Sequence, residues 1–140
     1  MISEKEALYE LYAYTLTHGD PSFIHQHVVD AWVVQHADAD TKPIGLTFGL
    51  VGLYLKIEKQ FSGRQVQRAH MDLGKHKQVW PDFEFPVDRG SMTTADVIAA
   101  PAGAQRDKAI DEWGVSVWLP WRPQSSTIAD LLERNAIIRI

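Results

Sequence analysis

Apolar residues recur along this chain with the period of a helix, and nowhere with the strict alternation of a strand. Ser3 with Glu6 makes a capping box ahead of Leu8, Leu11, Tyr12, Thr15 and Leu16, with Gly19 just past the stripe. Asp20-Pro21 reads as an N-cap followed by proline at the first helical position, opening a helix to about His36. A third helix begins near Pro43 and carries IGLTFGLVGLYLKIEK, apolar nearly all round and so the most buried. Gly45, Gly49 and Gly52 share one of its faces, which suggests a close helix neighbour there. Ser62 with Gln65 opens a fourth helix, with Val66, Ala69, His70 and Leu73 inward and Trp80-Pro81 as its end.

Beyond that point the period is lost. VWPDFEFPVDRGSM predicts an ordered loop pinned by Trp80, Phe83 and Phe85. Thr93 or Thr94 caps the short helix TTADVIAA, stopped by Pro101. A long helix follows over roughly Gln105 to Leu119, and a short one begins at Ser125 or Ser126. The tail IIRI reads equally as a strand or a packed extension. The expected fold is all-α: one helical domain over residues 1–140, a compact bundle of about five to six largely antiparallel helices, with one long ordered loop at about 79–92.

Composition narrows the function classes. A chain of 140 residues with 45% hydrophobic and 23% charged residues can bury a core without staples. Without cysteine there is no thiol nucleophile or cysteine zinc site, so any metal needs His, Asp or Glu. A net charge of −4 argues against general nucleic-acid binding. No apolar stretch reaches membrane-spanning length and no signal peptide is seen, which makes the cytoplasm the default compartment.

The stretch FIHQHVVDAWVVQH concentrates the candidate chemistry. His25 and His36 end one helical stripe about 16 Å apart, too far to share an ion, and His27 points elsewhere. Asp30 stands alone among apolar residues from Val28 to Val34. A buried carboxylate needs a partner, with Gln26, His27 or a group on another helix within reach. The candidate buried polar site comprises His25, Asp30, His36, Glu58 and His70. The plainer reading makes Asp30 a structural hydrogen-bond hub and His70 a satisfied core histidine, with Glu58, flanked by Lys56 and Lys59, at the start of an exposed helix end. Five tryptophans serve as core and loop anchors, or alternatively wall a pocket. Nucleotide-binding, hydrolase-elbow and zincin motifs are absent, so enzymatic status stays open.

Five segments in order, HQHVVDAWVVQH, FGLVGLYLKIEKQF, VWPDFEFP, TTADVIAA and EWGVSVWLPW, resemble the signatures of DUF5946, a bacterial domain of unknown function, over about residues 14–121. The family pattern falls on His25, Val29, Asp30, Ala31, Gln35, His36, Glu58, Thr94, Asp96, Val97, Trp113 and Trp118. Some members carry an N-terminal cysteine segment, which this chain lacks, so no metal role for it carries over. The resemblance implies a compact helical domain and supplies no reaction.

Two functions follow as expectations. The first is a binding protein, holding a small molecule or protein partner in a pocket between helices, or forming a homodimer, with no cofactor. The second is a metal-dependent enzyme analogous to DinB/YfiT-like bundles, with Zn or Ni held by His25, His27, Asp30 and His70 and a metal-bound water as nucleophile.

Overall fold

The computed structural model describes residues 2–17 and 24–139. The Asp20-Pro21 cap, Gly19 and His18 lie outside the described residues. Seven α-helices are present among them: α1 (Glu4–Thr17), α2 (Ile24–His36), α3 (Pro43–Glu58), α4 (Gly63–Leu73), α5 (Thr94–Ala99), α6 (Ala104–Trp118) and α7 (Ser125–Arg134). A 3-10 helix, Leu119–Gln124, joins the last two. No described residue is in a strand, the Ile137–Arg139 part of the tail included. None of these helices is long and apolar enough to cross a membrane.

The predicted caps set several boundaries. Glu6 N–H donates to Ser3 Oγ (3.1 Å) at the start of α1. At α4, Gln65 N–H donates to Ser62 Oγ (3.2 Å) while Ser62 N–H donates to Gln65 Oε1 (2.8 Å), so two otherwise orphaned donors are satisfied. Thr93 N–H donates to Asp96 Oδ2 (2.8 Å) ahead of α5. One boundary differs from the expectation: α4 stops at Leu73, seven residues before Trp80. LysHisLys at 75–77 offers no apolar residue to bury, so the irregular segment starts at 74 and runs to 93.

The core forms around α2 and α3, which pack on each other and both touch α4 and α6. Nine of the sixteen residues of α3 are buried, consistent with its near-continuous apolar sequence. Gly49 and Gly52 mark the close approach of α2, whereas Gly45 faces open space. A Cβ on Gly49 would sit 2.9 Å from Val34 Cγ2. Trp113 and Trp118 of α6 and Trp121 of the 3-10 helix are fully buried, as core anchors.

Amide side chains order the long loop. Gln35 Nε2 donates to the carbonyls of Arg89 (3.1 Å) and Met92 (2.7 Å), while its Oε1 accepts from Trp113 Nε1 (3.0 Å). Gln124 pairs reciprocally with the Glu84 backbone, at 2.9 and 2.8 Å. Gln78 and Asn135 pair amide to amide. The Arg89 guanidinium donates to Val34 O and Ala37 O at the C-terminal end of α2. Trp80 and Phe83 pack on the core as expected, and Phe85, 43% exposed, meets the buried Trp121 edge-on at 5.8 Å with the Arg89 guanidinium over its ring.

Candidate functional site

The buried side of α2 carries His27, Val28, Asp30, Ala31, Val34 and Gln35. The stripe from His25 to His36 is its half-exposed flank. The charged and polar candidates therefore part company, and each can be followed to its contacts.

Asp30 is 4% exposed. Gln26 Nε2, one turn earlier, donates to its Oδ1 at 3.1 Å, whereas Oδ2 has no hydrogen-bond partner among the described residues. The carboxyl presses on the backbone of Gly52, where a Cβ would collide with Oδ2. Burial raises its pKa well above the ordinary carboxylate range, and the Gln26 bond only partly opposes this. The anticipated choice between a cationic and an intrahelical partner is resolved in favour of Gln26.

His27 is 3% exposed and lies one turn before Asp30. Its Nδ1 is buried without a partner among the described residues, and its Nε2 edge rests on Gly114 of α6, where a side chain would collide with it. Burial, reinforced by the nearby Lys56 charge, lowers its pKa from 6.5 to about 3, so the imidazole is neutral. His27 lines a cleft of about 230 Å³ together with Lys56 and Ile57 of α3 and Asp111 and Val115 of α6. Asp111 as a residue is exposed, yet its carboxyl is partly enclosed. Burial raises that carboxyl's pKa, Lys56 opposes the rise, and Asp107 adds to it.

The remaining candidates sit elsewhere. His25 is half-buried, with Nδ1 2.7 Å from Thr15 Oγ1 and its ring 5.0 Å from Tyr12; burial lowers its pKa. His36 is exposed rather than buried. It stacks on Trp32 at 3.7 Å, and its Nε2 lies 3.4 Å from a Glu4 carboxylate oxygen, linking α2 to α1. His70 is half-buried and donates Nε2–H to the Phe48 carbonyl at 2.8 Å, since a carbonyl can only accept. Burial lowers its pKa, and the Phe48 bond opposes this.

Glu58 turns toward the tryptophans. It accepts from Trp118 Nε1 (3.2 Å) and from Arg122 Nε (3.0 Å) and Nη2 (3.3 Å). Thr94 is buried and donates to Glu4 O at 2.6 Å, which ties α5 to α1. His25, Asp30, His36, Glu58 and His70 thus have separate contacts rather than one shared site. Among the described residues no three His, Asp or Glu side chains are grouped to hold a metal ion, and the set His25, His27, Asp30 and His70 forms no such group.

Sequence reading missed Lys56, Asp111 and Gly114. Lys56 reads from sequence as flanking Glu58 at the start of an exposed helix end, and nothing in the sequence singles out Asp111. The usable signal was Gly114, a glycine inside the helical stretch EWGVSVW, where it costs helix stability and so implies a close neighbour.

Comparison with known protein families matches residues 5–122 to a family of unknown function, DUF5946. The match covers most of the chain, which therefore belongs to this family. No curated protein and no solved structure matched the chain.

Proposed function

We propose that this chain is a helical ligand-binding domain, and that its site is the cleft between α2, α3 and α6. The observation that carries the reading is His27: an almost wholly buried imidazole, with Nδ1 lacking any hydrogen-bond partner among the described residues, placed in the wall of a cleft. Unpaired buried polar nitrogen costs roughly 1–3 kcal/mol, and binding sites are where such costs are retained. Gly114 leaves the space the ring occupies. Ile57 and Val115 add apolar wall, and Lys56 and Asp111 add the few polar groups that orient a bound molecule. The depression between Pro43, Leu46 and Phe83 contains no comparable buried group among the described residues.

A fragment screen by thermal shift tests the reading. Val115→Trp fills the cleft from an exposed position without entering the core. Fragments that stabilise the wild type are expected to lose that effect on Val115→Trp. Equal stabilisation of both proteins, or no stabilising fragment at all, would overturn the assignment.

A further inference from the structure

Charge is distributed unevenly along the chain. Residues 59–77 carry five of its fourteen Lys and Arg and one of its eighteen Asp and Glu, although the net charge is −4. The acidic one, Asp72, is engaged by Lys75 at 3.0 Å. Arg64 and Arg68 stand one turn apart on the exposed side of α4, a like-charge spacing that works against the helix. Arg89, Arg106, Arg122 and Arg134 each donate to a carbonyl or carboxylate, whereas Arg68 has no hydrogen bond or ion pair among the described residues.

Both arginines line one depression of about 350 Å³, together with the apolar Phe61, Ala69 and Ile137. Phe61 follows α3 and Ile137 follows α7, so three parts of the fold contribute to it. The residues just before these two, Gln60 (φ 59°) and Ala136 (φ 58°), adopt the left-handed backbone, and they are the two non-glycine residues to do so among the described residues. Glycine is the usual residue at such a helix end, because a Cβ is disfavoured there. The turns are closed by Phe61 N–H on Leu55 O and by Ile137 N–H on Leu132 O, both at 2.9 Å. Strained backbone of this kind clusters at ligand sites, and both turns lead into the depression that holds the arginine pair.

We infer that this depression is a second ligand site, sharing no lining residue with the cleft at His27, and that it takes a small organic acid with an apolar body. The carboxylate meets Arg68 and Arg64, whose planar guanidinium forks match it and whose mutual repulsion it relieves. The apolar body covers Phe61, Ala69 and Ile137, which gives the contact its hydrophobic share. A carboxylate suits the site better than a phosphate. Asp72 also lines the depression, and a second negative charge on the ligand would face that carboxylate.

Titration of the intact chain with 3-phenylpropionate and hexanoate tests this, against 3-phenylpropionamide, acetate and inorganic phosphate, with the amide signals of Ala69 and Ile137 read by NMR. At least one of the two acids is expected to bind about tenfold or more tightly than every control, a step on the order of 1.4 kcal/mol. The better acid identifies the favoured body as aromatic or aliphatic. Arg68→Gln should erase the preference for acid over amide while the melting temperature stays near that of the wild type, and Arg68→Lys should keep part of it. If the amide binds as tightly as the acids, or Arg68→Gln retains the preference, the inference falls. If acetate or phosphate binds as tightly, the depression holds an adventitious ion only, and the inference falls as well. Absence of saturable shifts at Ala69 and Ile137 up to about 10 mM acid, which would fill a millimolar site, also overturns it. Shifts confined to the His27 ring overturn this inference and leave the cleft at His27 to its own test.

Discussion

Gly114 of α6 lies against the Nε2 edge of His27 on α2, and Gly52 of α3 lies in the same way against the carboxyl of Asp30. Two glycines on two helices thus make room for the two deeply buried ionisable groups of one helix turn. The pairing makes glycine chemistry in this bundle position-specific. Gly52→Ala should destabilise by about 1–3 kcal/mol, the usual cost of forcing atoms into a filled core. Gly45→Ala has no neighbour within 4 Å and should stabilise by about 0.5–1 kcal/mol through helix propensity alone. Urea unfolding of the two variants checks both signs, and equal effects would show that helix propensity rather than the contact with Asp30 governs the face.

The two buried groups give opposing pH dependences. His27 has a lowered pKa when folded, so the unfolded chain binds its proton first. Its contribution is present above about pH 6.5 and is lost as the pH falls toward 3. Asp30 has a raised pKa when folded, so its contribution is present below the ordinary carboxylate value and is lost as the pH rises through the folded pKa. Asp30→Asn should therefore gain stability relative to wild type as the pH is raised from 4 to 8, by up to about 1.4 kcal/mol per unit of the window. His27→Leu should flatten the acid limb between pH 6.5 and 3. Denaturant midpoints at several pH values measure both, and curves parallel to wild type would contradict the burial argument.

Gln35 is the clasp between the core and the 74–93 segment. Its amide joins the Trp113 indole to two loop carbonyls. Gln35→Met keeps length but leaves three polar groups unpaired, and should cost about 2–4 kcal/mol. Limited proteolysis should then cut within 74–93 before elsewhere. An unchanged cleavage pattern would mean the Gln124–Glu84 and Gln78–Asn135 pairs hold the loop by themselves.

Added Zn²⁺ or Ni²⁺ should leave the melting temperature unchanged, because His25, His27, Asp30 and His70 do not meet at a point. Elemental analysis after native purification should find less than about a tenth of an equivalent of transition metal. A stoichiometric metal that raises the melting temperature would restore the metal-enzyme reading.

Much of the helical layout could be read from the chain because local signals determine it. Ser62 with Gln65 and Thr93 with Asp96 predict caps that are present with the expected hydrogen bonds. The apolar run of α3 predicts its burial, and the isolation of Asp30 predicts a polar group carried into the core with Gln26 in reach. The end of α4 was misplaced because Trp80-Pro81 is a strong stop signal, while the real stop is a lack of apolar residues after Leu73. The cleft was not legible, because it joins α2, α3 and α6 across distances in sequence that no periodicity encodes. The same holds for Gln35, whose three partners lie 54 to 78 residues away.

The central claim is that the cleft beside His27 receives a ligand. Its most direct test is the response of the histidine ring signals, resolved by long-range ¹H–¹⁵N NMR, during titration with the stabilising fragments. The account predicts that the His27 nitrogen signals move saturably while those of His70 and the exposed His76 stay in place. Movement at His70 or His76 with His27 unaffected would contradict it.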